Sequence, residues 1–281
     1  MRLSIITINR NNAKGLERTL QSVIEQTCQE FEYVIIDGAS TDGSVDVVKK
    51  YESSIPHLQW ISEPDNGIYN AMNKGVRLAS GEYIQILNSG DCLASEDVVK
   101  RMLNELQKAG NPSILYGNVV KLFPDGKSIT DKCFAGQEIT MLGMFTGSFN
   151  HDSAYIHREL FLKYGLYDET LKIVADWKWF MEVIVLGGEE PKYFDVDVTL
   201  FDMTGISETN KDLDKVERKR VLEELFPKSV LADYERFAFP MEQFKRLQKY
   251  SWAYRIVWLL ERCLFKLEKA ERKKTLITKY E

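Results

Sequence analysis

The sequence predicts an α/β protein: a mixed, mostly parallel sheet flanked by helices, with a helical extension at the C-terminus. Four short apolar runs, residues 3–8, 33–36, 58–61 and 83–87, alternate with segments of helical periodicity. Each run stops at oxygen-rich residues: Thr7 and Asn9, then Asp37, then Glu63 and Asp65, then Asn88 and Asp91. Strands alternating with helices build parallel sheets, and such sheets bind ligands at the carboxyl ends of their strands, so all four tips are expected to line one site. The tips carry carboxylates and amides in place of a glycine-rich turn, which points to a base, ribose and metal–diphosphate site over an anion nest.

The elements follow in order. Leu16, Leu20, Val23 and Ile24 recur at helical spacing, giving a helix over 13–28. Asp42-Gly43-Ser44 starts the next helix with Val45, Val48 and Tyr51 inward, and Ile68, Met72, Val76 and Ala79 mark the one after the third strand. Ser95 with Glu96 and Asp97 gives a capped start to a helix ending near Gly110. Residues 1–110 therefore read as a nucleotide-binding half. Residues 111–205 change character: a strand over 114–123, a Pro124-Asp125-Gly126-Lys127 turn and a partner strand from Ser128 form a hairpin. A strand over 153–157, a helix from Arg158 to Gly165, a helix over 176–187 and an exposed-edge strand over 193–203 complete it. Residues 206–281 are helical and charged, with Pro227 and Pro240 as expected boundaries.

Composition narrows the function. The 281 residues are 44% hydrophobic and 28% charged, enough for one substantial core and an appended subdomain. A net charge of -5 gives no reason to expect nucleic-acid binding. The charge is uneven: residues 241–281 hold eleven Lys or Arg against five Glu, about +6, leaving about -11 elsewhere. The first strand begins at Leu3, which leaves no room for a secretory leader, and no apolar run is long enough to span a membrane, so a cytoplasmic protein is expected. Cys28, Cys92, Cys133 and Cys263 lie far apart without a CxxC pair and read as small buried thiols.

Three stretches carry candidate chemistry. In residues 37–44, Asp42 and Ser44 read as helix-capping residues, whereas Asp37 ends the strand itself, where a carboxylate can accept from a base or ribose. In residues 63–75 a turn enters a helix that keeps Asn70, Asn73 and Lys74 on one exposed side, with Lys74 placed to meet a phosphate or simply solvent. Asn88-Ser89-Gly90-Asp91 follows a strand directly, where a hard cation finds a carboxylate and a diphosphate together; the same four residues also make an ordinary turn.

These stretches, in this order and with Ser4-Ile5-Ile6-Thr7-Ile8-Asn9, Gly81 through Asp91 and Ala175-Asp176-Trp177, resemble a family 2 glycosyltransferase of the inverting GT-A kind over roughly residues 1–205. The resemblance implies nucleoside contacts at Thr7, Asn9, Asp37 and Asp65, with Arg10, Lys74, Asn88, Ser89 and Gly90 completing the donor site. It implies Asp91 as the ligand of a divalent metal, Mn²⁺ or Mg²⁺, although Asn88 and Gly90 stand where carboxylates often do. It implies Asp176 as the catalytic base; a helix cap is the alternative, and Ala175 stands where a Glu is frequent. His151 is either structural or a diphosphate or acceptor contact. A nucleotide-sugar donor, UDP-linked first, and a saccharide or lipid-linked saccharide acceptor follow, in surface polysaccharide or glycolipid assembly. A nucleotidyltransferase would favour glycine and lysine after strand one, and residues 7–12 contain no glycine; a scaffold of the same fold without activity is the other rival. In the tail, Trp252, Ile256, Leu259, Leu260, Cys263, Leu264 and Leu267 form an apolar stripe flanked by Arg255, Arg262, Lys266 and Lys269. It reads as docking on its own domain, on a second subunit of a homodimer, or at the inner face of an anionic membrane.

Overall fold

A computed structural model describes residues 1–205 and 210–277, with side chains to residue 269. Two compact units emerge, Met1–Leu225 and Phe226–Glu281. The first unit thus includes a helix that the sequence reading assigned to the extension.

Strands β1 (Leu3–Asn9), β2 (Phe31–Asp37), β3 (Leu58–Ser62) and β4 (Tyr83–Ile86) pair in parallel in the order β3-β2-β1-β4. Every residue of β1, β2 and β4 is buried, which is why these runs are apolar throughout instead of alternating. Helices α1 (Ala13–Ile24), α2 (Ser44–Tyr51) and α3 (Ile68–Leu78) cross between them, and α4 (Val98–Lys108) follows. Leu16, Leu20 and Val23 of α1 enter the same core as Ile5, Tyr33 and Tyr83, each such burial contributing about 1.5–3 kcal/mol. Asn12 caps α1 by accepting from the Gly15 N–H at 3.1 Å.

The sheet then turns mixed. β8 (Ala154–His157) pairs antiparallel with β4 and with β6 (Ile114–Leu122), and β6 forms the expected hairpin with β7 (Ser128–Asp131). β9 (Lys192–Asp202) runs parallel to β6 and is not the outermost strand: Thr199 and Leu200 pair with a two-residue strand, β5 (Cys92–Leu93), too short to leave a sequence signal. Short helices α5 (Met141–Thr146) and α6 (Glu159–Tyr164) flank this half. Helix α7 (Ala175–Phe180) widens into a π-helical stretch at Met181–Leu186, and α8 (Lys211–Leu225) closes the unit.

The second unit holds α9 (Lys228–Gln248) and α10 (Ser251–Ile277). Pro227 caps α9 as a boundary, but Pro240 lies inside it; the helix forgoes one backbone donor there and continues. Residues 278–281 of the tail lie outside the described residues. The cysteines differ from expectation too: Cys263 is exposed and the other three are half-buried. Among the described residues no helix is long and apolar enough to cross a membrane.

Candidate active site

A cleft of about 900 Å³ opens at the carboxyl ends of the parallel strands. Asn9, Arg10, Asp65, Asn88, Ser89, Gly90 and Asp91 line its sheet side, and His151 and Asp176 line the side contributed by the second half. Thr7, Asp37 and Lys74 do not line it.

The reason lies in their hydrogen bonds. Thr7 is fully buried, its hydroxyl 2.9 Å from that of Tyr33. Asp37 is also fully buried and accepts from Ser40 Oγ and N, Ser62 Oγ and Asn9 Nδ2 at 2.6–2.9 Å. Burial pushes its carboxyl up, but these donors outweigh that and hold it below the usual carboxylate range. Asp37 therefore ties together the segments that follow β1, β2 and β3 from beneath the cleft. Asn9, whose amide it holds, keeps a buried Oδ1 with no partner. Lys74 pairs with Glu63 at 2.7 Å and donates to the Pro64 carbonyl, while Asn73, expected on the exposed side, is buried and bonds the backbone of Tyr167. Asp42 does act at a helix start, accepting from Ser44 N and Oγ.

The Asn88–Asp91 turn is pinned from two sides. Asn12 donates to the Ser89 carbonyl at 3.0 Å, and the Thr19 hydroxyl donates to the Asp91 carbonyl at 2.7 Å. Gly90 sits at φ +111°, in a region L side chains rarely adopt, so glycine there is a backbone requirement and a carboxylate at that position would be strained. Asp91 is buried and its Oδ1 accepts from the Asp202 N–H. Burial and the nearby Asp152 carboxylate push its carboxyl well above the ordinary range. Asn88 donates to Asp152 Oδ1 at 3.2 Å and leaves its own Oδ1 buried without a partner.

Asp176 lies in the first turn of α7, two positions past the capping residue Val174, which gives no side-chain bond. Its Oδ2 is 2.8 Å from His151 Nδ1 and its Oδ1 accepts from the Tyr69 hydroxyl at 2.8 Å. Burial raises its pKa, but His151 and Tyr69 outweigh it, so Asp176 stays ionised below the usual range. On the other side of the ring, His151 Nε2 is 3.0 Å from Asp152 Oδ1. Burial lowers the His151 pKa, yet the Asp152 and Asp176 carboxylates raise it well above the ordinary value, so both ring nitrogens donate to carboxylates at neutral pH. His151 thus links Asp176 to Asp152, and through it to Asn88, within one cleft.

Sequence reasoning did not find several cleft residues. Asp152 and Tyr69 stood beside or inside segments already singled out, and Asp202 sits at a strand end like the other tips. Lys121, Lys172 and Arg218 leave no local signal, because strand pairing and the packing of α8 bring them in.

Comparison with known proteins identifies the family and the fold. The family model described as Glycosyl transferase family 2 matches residues 4–159, just over half of the chain. A PGL/p-HBAD biosynthesis glycosyltransferase of Mycobacterium tuberculosis is 28% identical over 217 residues, 76% of this chain and 82% of the relative. An uncharacterized glycosyltransferase of the same species is 32% identical over 213 residues, 73% and 76% of the two chains. Among solved structures, S. aureus TarS 1-349 in complex with UDP-GlcNAc has a TM-score of 0.61 at 20% identity, covering 72% of this chain and 58% of that one. The mannosyltransferase PcManGT from Pyrobaculum calidifontis, in complex with GDP-Man and Mn²⁺, has a TM-score of 0.55 at 21% identity, covering 71% and 56%. The chain therefore spans under two thirds of either solved protein. On the match to more than half of its length and on these relatives, the chain belongs to glycosyl transferase family 2 and is a glycosyltransferase of the GT-A fold.

Proposed function

We propose that the protein transfers a sugar, with inversion, from a nucleotide-diphosphate sugar to an acceptor hydroxyl, with UDP as the first donor candidate. The observation that carries this reading is the joining of Asp176 to the Asn88–Asp91 strand tip through His151 and Asp152 in one cleft. A base and the leaving-group end of a donor then face one space. The acceptor oxygen attacks the anomeric carbon, the bond from that carbon to the diphosphate oxygen breaks with its electron pair leaving on the nucleoside diphosphate, and the hydroxyl proton passes to Asp176. With its carboxyl held below the usual range, Asp176 is ionised before the acceptor arrives and takes the proton as the new bond forms.

Asn9, Arg10, Asp65, Asn88, Ser89 and Gly90 are proposed donor contacts; Thr7 and Asp37 support them from below, and Lys74 acts through Glu63. Asp91 suits a divalent cation, Mn²⁺ or Mg²⁺: its buried carboxyl lies near those of Asp152 and Asp202, and the orphaned Asn88 Oδ1 is a further oxygen donor. Among the described residues no three His, Cys, Asp or Glu side chains form a self-contained cage, so an ion here would have to take its remaining oxygens from phosphate and water. Such an ion would offset the charge that develops on the departing diphosphate. A thermal-shift panel of UDP, GDP, CDP and TDP, with and without Mn²⁺, tests the donor site, since a ligand of the native state raises apparent stability. One nucleotide should stabilise, more so with metal, and the metal increment should vanish in Asp91→Ala; stabilisation by none would reject the reading in favour of a scaffold without activity.

The name of one relative, PGL/p-HBAD biosynthesis glycosyltransferase, supports an acceptor in surface glycolipid assembly. The second unit supports a lipid-linked one. In α10, Trp252, Ile256, Leu259, Leu260, Leu264 and Leu267 are exposed beside Arg255, Arg262, Lys266 and Lys269, a pattern suited to the surface of an anionic membrane at the cytoplasmic face. A positive tail also repels its own copy, which argues against pairing through this stripe alone. Phosphatidylglycerol vesicles should pellet the full chain and not a chain lacking residues 241–281; equal pelleting of the two would reject the contact.

A further inference from the structure

The base helix lacks a cap of its own. Val174 occupies the capping position of α7 without a side-chain bond, and the N–H groups of the loop that leads into it, Lys172 to Val174, need partners from elsewhere. Glu217 of α8 supplies them. Its buried carboxylate accepts from the N–H of Lys172 at 2.8 Å, of Ile173 at 2.9 Å and of Val174 at 3.3 Å. The other face of the same peptide is also engaged, because the Ile173 carbonyl shares the single Tyr69 hydroxyl proton with Asp176 Oδ1.

Two further contacts of α8 meet the same helix. Arg218 stacks 4.4 Å from the Trp177 ring centroid and donates to the Gly147 carbonyl at 3.0 Å. Lys178 binds Asp168 and Glu224 at 2.9 and 2.7 Å. A buried carboxylate is retained only where donors satisfy it, and among the described residues Glu217 is the side chain that holds these backbone donors. Helix α8 lies wholly beyond residues 4–159, where the family model matches.

We propose that Glu217 is a positioning residue for Asp176: by capping the Lys172–Val174 segment from α8, it fixes Tyr69 and the carboxylate of Asp176 against His151. The proposal rests on the reading of Asp176 as the base, but its readout does not, because it is taken at His151 and needs no turnover.

The chain has three histidines, so imidazole N–H resonances are few and the His151 signal is assigned by its loss in His151→Asn. Asp176→Asn should move that signal, since it replaces the charged acceptor at Nδ1 with a neutral amide. Glu217→Gln, close in size but with one acceptor fewer, should shift or broaden it, while the thermal shift given by UDP with Mn²⁺ persists. Glu223→Gln, an exposed position on the same helix, should leave it in place. An unchanged His151 signal in Glu217→Gln would overturn the proposal, as would loss of the nucleotide shift in that variant, which would mean a general rather than a local effect. If Asp176→Asn instead keeps full turnover, the base reading fails while the result at His151 still stands on its own.

Discussion

The two walls of the cleft are built differently. On the sheet side, successive strand–helix units hold one another: Glu32 ties Ser4, Gln59 and Ser80 at one end of the strands, and Asp37 ties Asn9, Ser40 and Ser62 at the other. Both carboxylates are buried acceptors binding adjacent parallel strands. On the base side, the partners of Asp176 come from outside any such unit, Tyr69 from α3 in the other half, 107 positions away, and His151 from the segment before β8, with the preceding loop held by Glu217 of α8. The sheet wall is therefore a property of the αβ repeat, whereas the base wall exists only once α3, α7 and α8 have docked. A perturbation of the base wall should thus be felt in chemistry before it is felt in donor binding.

The comparison can be broken most forcefully at Trp177. Its ring is buried, its Nε1 donates to the Met144 carbonyl at 2.9 Å, and Arg218 covers its face. Trp177→Ala should cost about 3–5 kcal/mol in urea unfolding. At temperatures where the variant remains folded, the nucleotide-induced thermal shift should survive; its disappearance would mean that the two walls are one cooperative unit.

A smaller effect sharpens the sheet side. Burial raises the Glu32 pKa, but the Ser4 hydroxyl and the Ser80 groups outweigh it, so the folded value lies below the unfolded one. Its contribution is then fully present above the unfolded value of about 4.3 and is lost as pH falls through the folded value. Wild type should lose melting temperature below that point more steeply than Glu32→Gln, which starts lower at neutral pH. Parallel acid profiles would show that Glu32 does not stabilise the sheet in this way.

The same contrast explains what the sequence revealed. Residues 1–110 were legible almost element by element, because buried parallel strands are continuous apolar runs and their helices have clear periodicity. Asn88–Asp91 and Asp176 were legible through resemblance and do share the cleft. Thr7 and Asp37 enter the donor site through the resemblance, and a sequence does not say which strand-tip residue is saturated by its neighbours. Glu217 and Arg218 were invisible: they look like ordinary charges on a surface helix, and only tertiary packing turns one toward a bare helix start and the other onto a tryptophan.

The most direct measurement is nucleoside-diphosphate release from the nucleotide sugar whose nucleotide stabilises the protein, compared between wild type and Asp176→Asn at matched occupancy. The account predicts a fall of about 10²–10⁴ in turnover with nucleotide binding retained, the size expected for losing a positioned general base. Turnover at the wild-type rate in that variant would contradict it and move the chemistry away from Asp176.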